Sequence, residues 1–218
     1  ACHEVGHSFG LRHNMRASDA YPTDSLRSPH FTSRMGGTSA SIMDYARFNY
    51  VAQPGDGVRV TTPAIGPYDL MAIEWGYRWF PNERQAEQQL FDFLQKHQGK
   101  EYCYSEAQNQ RTAIDPRALS EDLGDDAMKS ASYGIANLKR IVPNIVKWTT
   151  TGQPGQTYED ASRFYAGIIF QWSLYAYHVL ANVGGMYLEN TFVGDGKRTF
   201  SFVPRERQQR AVQFLLDE

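Results

Sequence analysis

The first residues of the chain place histidines at spacings that suit a bound metal ion. His3 and His7 lie four residues apart, so on a helix both imidazoles project from one face and can bind the same zinc ion. Gly10 can adopt a positive φ, which would end the helix and turn the chain so that His13 approaches as a third ligand. Three neutral imidazoles leave the fourth position of a tetrahedral zinc ion open for water, as in catalytic sites.

Glu4 supplies the acid–base group that such a site needs. It follows His3 directly and is angled toward the side where a water molecule activated by zinc would lie. There it would act as a general base toward that water. Ordinary helix histidines with a solvated glutamate, or a purely structural zinc site, are the alternatives. The added glycine and third histidine favour the catalytic interpretation.

A second motif, SIMDY at residues 41–45, lies farther along the chain. Together with HEVGHSFGLRH at residues 3–13, it closely resembles the metzincin zinc peptidases, whose extended zinc motif is followed by a methionine-containing turn beneath the metal. The resemblance implies that Met43 supports the floor of the site without binding zinc. It also implies that Tyr45 acts as a switchable fifth ligand that later stabilises the oxyanion. A packed aromatic residue is the alternative for Tyr45.

Further segments, at residues 47–56 and 65–77, are similar to a bacterial Met-zincin-like family of large, little-characterised proteins. The resemblance covers residues 1–78 specifically and extends more weakly through the remainder. Asn14 departs from it, because several metzincin branches have an acidic residue after the third histidine; this leaves the branch open. The resemblance implies zinc as the cofactor, a protein or peptide as the substrate, and a secreted or bacterial cell-envelope setting.

Other residues have simpler explanations. By resemblance, Asp44 and Arg47 border a specificity pocket, but a solvated pair on a turn is the favoured alternative. His178 lies in an apolar segment, which predicts a hydrogen-bonded core histidine. Packing in the core and between helices, in preference to a ligand platform, is likewise predicted for the aromatic residues of that segment, which are Phe164, Tyr165, Trp172, Tyr175 and Tyr177.

The composition narrows the possible classes of protein. The chain has 218 residues, with 22 Lys and Arg against 24 Asp and Glu and a formal net charge of -2. This near-neutral balance argues against a nucleic-acid-binding surface. The longest apolar stretch, at about residues 164–183, is interrupted by polar residues such as Gln171 and Asn182, so it predicts a buried helix and not a membrane span.

The sequence pattern predicts a mainly α-helical chain with one short β-hairpin. After a helix at residues 1–9, a long irregular region is expected at residues 14–62. Further helices are predicted from about residue 67 to 78, over 83–98, from about 125 to 148 with a bend at Pro143, over 157–183 and from 204 to about 216. Two strands, at 186–193 and 198–203, are predicted to pair through the Gly-Asp-Gly turn at 194–196.

We interpret residues 1–80 as the C-terminal part of a metzincin-like catalytic domain and residues 81–218 as a helical extension. The helical pattern begins at the first residue without an N-cap, so we expect a fragment that lacks the substrate-aligning sheet of metzincins. Such a fragment is expected to hold zinc weakly, to be inactive alone, and to form dimers through residues 1–15. The alternative functions are a non-catalytic zinc scaffold and a protein-interaction module.

Overall fold

The computed structural model of the protein describes residues 1–106, 113–194 and 196–218. The predicted fold, mainly helical with a short hairpin, is confirmed. The α-helices are α1 (Cys2–Ser8), α2 (Pro29–Met35), α3 (Pro67–Tyr77), α4 (Glu83–Lys96), α5 (Ala127–Ile141), α6 (Ile145–Thr149), α7 (Glu159–Leu180) and α8 (Arg205–Asp217). The strands are β1 (Met186–Leu188) and β2 (Phe200–Phe202), and short 3-10 helices lie at Ser18–Ala20, Thr23–Arg27, Lys100–Tyr102 and Val142–Asn144.

The segment between α1 and α3 is more regular than predicted, because it contains α2. The Ser28 hydroxyl accepts a hydrogen bond from the Phe31 N–H at 3.2 Å, and Pro29 is the first helical residue. Gly36, with φ 71°, ends the helix in the left-handed conformation. The prediction of a wholly irregular region was therefore wrong. The helix is too short for an apolar period to reveal it, and only its capping residues indicate where it lies.

A first core cluster packs beneath the loops that follow α1. It consists of the buried residues Ala17, Tyr21, Leu26, Ala40, Val51 and Leu123. Leu123 comes from the predicted helical extension, and its N–H donates to the hydroxyl of Tyr50 at 3.0 Å. One core therefore joins residues on both sides of residue 80, and the boundary drawn there remains a prediction.

A second core cluster holds α5, α7 and α8 together. It consists of Met128, Ala131, Ile135, Tyr175, Val179 and Ala211. Gly134 lets α5 approach α7 closely, because a side chain at this position would overlap the ring of Tyr175. The bend predicted at Pro143 lies in the 3-10 turn that separates α5 from α6.

The apolar helix α7 is buried mainly along its C-terminal half, where Tyr175 and Val179 pack into the second core cluster. Nearer its start, Phe164 is 57% exposed and Phe170 is 61% exposed. The prediction of a buried helix was thus wrong for the N-terminal half, as was core packing for Phe164, Tyr165 and Trp172. In the described ranges, no helix combines the length and apolarity that crossing a membrane requires.

His178 is the buried histidine that the sequence predicts within α7. Its Nε2 lies 3.0 Å from the carbonyl oxygen of Ser120, which fastens α7 to the loop before α5. Burial lowers the pKa of His178 to about 4, so the ring is neutral at physiological pH.

The hairpin strands are shorter than predicted. Met186 pairs with Phe202 and Leu188 with Phe200, in antiparallel register. The predicted strands, at 186–193 and 198–203, were too long because every residue of β2 is exposed, so no buried face favours a longer ladder. Of the predicted turn at 194–196, both glycines have positive φ, and Asp195 lies outside the described residues.

Candidate metal centre

The turn after α1 returns the chain toward the helix. Gly10 has φ 83°, and its N–H donates to the carbonyl oxygen of His7 at 2.9 Å. The N–H of Leu11 donates to the carbonyl oxygen of Gly6 at 3.1 Å. These two bonds form a Schellman motif, which requires the positive φ that glycine adopts without strain. The chain therefore turns at the predicted glycine, three residues before His13.

The turn brings three imidazoles together. The ring centroids of His3 and His7 are 4.9 Å apart, and the ring of His13 lies 5.1 Å from the first and 4.7 Å from the second. One nitrogen from each ring lies within 4.8 Å of the others, and the Nε2 atoms of His7 and His13 are 3.2 Å apart. This is the convergence that the spacing of the three histidines predicts.

Backbone carbonyls set the tautomers of two of these rings. The Nδ1 of His3 lies 2.7 Å from the carbonyl oxygen of Ile42, and the Nδ1 of His7 lies 2.8 Å from that of Leu11. Because a carbonyl oxygen only accepts, both Nδ1 atoms carry the proton, and in the neutral ring Nε2 keeps its lone pair. The Nε2 of His3 is buried and has no hydrogen-bond partner among the described residues. A metal ion would satisfy this otherwise costly atom, so the residues present fit zinc.

The third imidazole is held in the form that binds metals. Burial, together with the neighbouring imidazoles of His3 and His7, lowers the pKa of His13, against an opposing effect of the Glu4 carboxylate. A neutral imidazole is the species that ligates a metal ion. The Nε2 atoms of His7 and His13 lie 3.2 Å apart, so either a proton on one of them or a bound cation must lie between the two lone-pair positions.

Glu4 lies on the exposed side of α1, next to His3. Among the described residues, its carboxylate takes part in no hydrogen bond or ion pair, although its charge reaches His13. The carboxylate is therefore accessible to solvent and close to the imidazoles, where a proton acceptor is predicted. Its role as general base remains a prediction.

Met43 lies under α1 and is fully buried. Its Sδ fills the space beside Gly6 on the helix that carries the first two histidines. Its carbonyl oxygen accepts from the N–H of Asn14 at 3.0 Å, and its own N–H donates to the Ser41 hydroxyl at 2.9 Å. The methionine turn is thus fastened both to α1 and to the segment that carries His13.

Tyr45 lies beside the imidazoles. Its ring stacks on that of His3 with an interplanar angle of 20° and a centroid distance of 5.2 Å, and it is 4.5 Å from the ring of His13. It is 46% exposed, and within the described ranges its hydroxyl has no hydrogen-bond partner. The structure therefore brings Tyr45 to the histidine cluster; its role as a fifth ligand remains a prediction.

Asp44 and Arg47 do not form the solvated pair that the sequence favours. Asp44 is buried, and its Oδ2 accepts from the N–H of Ser18 at 2.6 Å. Arg47 instead pairs with Glu121. Burial raises the pKa of Asp44 to about 7. The pKa of Asp122 is also raised, first by burial and then by the nearby charge of Asp44. The prediction failed because Ser18, which bonds to Asp44, and Glu121, which pairs with Arg47, are both distant in sequence.

Sequence reasoning also missed the structural part that Asn14 takes. This side chain is fully buried; its Oδ1 accepts from the N–H of Ser105 at 3.0 Å, and its Nδ2 donates to the carbonyl oxygen of Cys103 at 2.9 Å. An amide can make both bonds, whereas a carboxylate only accepts. The sequence signal for this role was that Asn14 stands where several metzincin branches have an acidic residue. The segment after His13 is thereby tied to the helical extension.

A family model described as Met-zincin matches residues 1–218. No curated protein and no solved structure matches the chain. The family match extends beyond the two motifs through the whole helical part, where the sequence resemblance alone is weaker. The chain therefore belongs to the Met-zincin family, a metzincin-like family of little-characterised proteins.

Proposed function

We propose that this chain carries the active site of a zinc-dependent peptidase. The observation that carries the proposal is the convergence of His3, His7 and His13 with Glu4 alongside. Carbonyl oxygens hold the Nδ1 protons of the first two rings, which leaves their Nε2 atoms to bind a metal. Family membership supports a zinc protein, and the exposed glutamate supports catalysis over a purely structural site.

His3, His7 and His13 would hold the zinc ion. When bound, zinc polarises the scissile carbonyl and lowers the pKa of water toward neutrality. Glu4 accepts the proton of the attacking water and delivers it to the amine that leaves. Its carboxylate suits this task because no competing ion pair among the described residues holds it.

Tyr45 and Met43 have supporting parts in this proposal. The Tyr45 hydroxyl, on a ring stacked against His3, donates to the carbonyl oxygen as negative charge develops on it. Met43 packs against Gly6 and holds α1 in place. The substrate is a protein or peptide.

The helical extension buttresses the site in this proposal. Asn14 bonds to the backbone of Cys103 and Ser105, and the Ser18 hydroxyl donates to Asp122 at 3.1 Å. These buried contacts support a structural role for residues 81–218 and do not favour a separate interaction module.

A peptidase assay on the full-length protein tests the proposal, with denatured casein and a peptide library as substrates. We expect cleavage that a chelator abolishes, and a loss of about 100-fold or more in Glu4→Gln, which should still bind zinc. Glu74→Gln is the matched control, because Glu74 is exposed on α3 and pairs with Arg78. If the wild-type protein binds zinc but cleaves nothing, the non-catalytic scaffold is the correct function.

A further inference from the structure

A buried carboxylate on α3 lies behind the methionine turn. Asp69 is 3% exposed and accepts three hydrogen bonds. One comes from the N–H of Gly66 at 2.8 Å, which is ordinary capping of the helix that follows. The other two come from the turn: the Ile42 N–H at 2.8 Å and the Ser41 hydroxyl at 2.5 Å. Capping of α3 alone does not explain these last two bonds.

The bonds continue from Asp69 to the imidazole of His3. The Ser41 hydroxyl donates to Asp69 and accepts from the N–H of Met43 at 2.9 Å. That N–H belongs to the same peptide unit as the carbonyl of Ile42, whose oxygen accepts the Nδ1 proton of His3 at 2.7 Å. A carboxylate, a hydroxyl, a peptide group and an imidazole thus form one hydrogen-bonded chain.

This chain constrains the peptide group at both ends. The Ser41 hydroxyl accepts from the Met43 N–H of this peptide group, and Asp69 accepts from the preceding N–H, that of Ile42. These two bonds fix the direction of the Ile42 carbonyl. Hydrogen bonds in series polarise one another, so a charged acceptor at one end strengthens the carbonyl as an acceptor for His3.

We propose that Asp69 is a positioning residue that, through Ser41 and the Ile42–Met43 peptide, fixes the tautomer and orientation of the His3 ring. The Nε2 of His3, which is buried and has no hydrogen-bond partner in the part of the chain that the structure describes, is then available to bind a metal ion. The inference rests on the zinc site proposed above but not on peptidase activity.

Two variants test this proposal. Ser41→Ala removes only the hydroxyl that connects Asp69 with the peptide group and leaves both N–H bonds to the carboxylate. Asp69→Asn keeps the side-chain shape but removes the charge and replaces one acceptor by a donor. The control is Asp126→Asn at the N-cap of α5, where the carboxylate accepts from the Lys129 N–H at 3.3 Å and has no contact with the turn.

The first measurement is zinc affinity, by competition with a chromophoric chelator. Ser41→Ala and Asp69→Asn should weaken binding by about 10- to 100-fold, as outer-sphere changes commonly do. Asp126→Asn should lower the melting temperature but leave the zinc affinity unchanged. If both test variants fold and bind zinc with wild-type affinity, Asp69 only caps α3 and the proposal is wrong.

The second measurement is the ¹⁵N imidazole spectrum of the metal-free protein. The His3 ring should be the Nδ1–H tautomer in the wild type and a tautomer mixture in Ser41→Ala. The tautomer of His7, whose Nδ1 donates to Leu11, should not change. If His3 keeps its tautomer in Ser41→Ala, the proposal is overturned. The tautomer measurement needs no metal, so it tests the role of Asp69 even if the protein does not bind zinc. If Asp69→Asn does not fold, the tautomer of His3 in Ser41→Ala is sufficient for the test.

Discussion

The Sδ of Met43 lies so close to Gly6 that it would overlap a Cβ at this position, and the Met43 Cε would be 3.4 Å from such a Cβ. Gly6 is the buried residue of α1, on the helix segment that also presents His3 and His7. A thioether is unbranched and fills irregular space well, so it can support a helix at close range. The close approach of Met43, and not a positive φ, is therefore the reason to expect glycine at this position.

Gly6→Ala should destabilise the protein and weaken zinc binding. Overpacking costs about 1–3 kcal/mol, which should exceed the gain of about 1 kcal/mol in helix propensity. Urea unfolding and zinc titration measure both effects. Gly167→Ala in α7 is the matched control, because, apart from its chain neighbours and the backbone of its own helix, no atom of the described residues lies within 4 Å of the added methyl. It should stabilise the protein without changing its zinc affinity. Equal stabilisation by both substitutions would show that Met43 moves aside without cost.

Asn14→Asp should be strongly destabilising at neutral pH. The carboxylate would face the carbonyl oxygen of Cys103, to which the amide now donates, and a buried unsatisfied or repelled polar group costs about 1–3 kcal/mol or more. Asn190→Asp is the control, because Asn190 makes the same kind of bond, to the carbonyl of Tyr104, at an exposed position. Chemical denaturation should show a large loss for the first variant and a small one for the second. Similar losses would mean that burial of Asn14 does not matter.

Tyr45→Phe tests the proposed part of the tyrosine in catalysis. Since the ring stacking against His3 is preserved, zinc affinity should not change, whereas loss of the hydroxyl should lower kcat by about 10- to 100-fold. Tyr77→Phe removes a hydroxyl that donates to the carbonyl of Phe9, on an exposed ring outside the imidazole cluster, and should leave kcat unchanged. An unchanged kcat in Tyr45→Phe would make Tyr45 a packing residue.

The three-histidine cluster could be predicted from the sequence because it is local. A four-residue spacing on a helix and one glycine turn determine the directions of His3, His7 and His13, and no distant contact is needed to bring them together. The starts of α5 and α8 could also be predicted from local sequence, because Asp126 and Pro204 are the N-cap residues that precede them.

The support behind that cluster could not be predicted in this way. Asn14 bonds to Ser105, and Asp69 bonds to Ser41; in each case the partner is remote in sequence and no periodicity indicates it. Burial along α7 failed for a related reason. The apolar residues of α7 show that one face of the helix can be buried. The positions of the neighbouring helices decide which part of that face is buried.

The buried carboxylate of Asp44 should make stability depend on pH. Folding raises its pKa from about 3.8 to about 7, because burial disfavours the charged form. The folded state therefore binds this proton more tightly than the unfolded state. The stabilising contribution is complete below the unfolded pKa and is lost as the pH rises toward 7.

Asp56 is the opposite case. Hydrogen bonds from Arg27 lower its pKa to about 2, so its contribution to stability is present above about pH 4 and is lost in acid.

Asp44→Asn should therefore raise the melting temperature of the metal-free protein at neutral pH. The neutral amide removes the buried charge and its repulsion with Asp122, while the remaining oxygen can still accept from the Ser18 N–H. The difference between variant and wild type should grow from pH 4 to pH 7, measured by calorimetry at constant ionic strength. Asp56→Asn should instead lower the melting temperature at pH 7, and its difference should shrink below pH 4. A difference for Asp44→Asn that is constant with pH would show that Asp44 has an ordinary pKa in the folded protein.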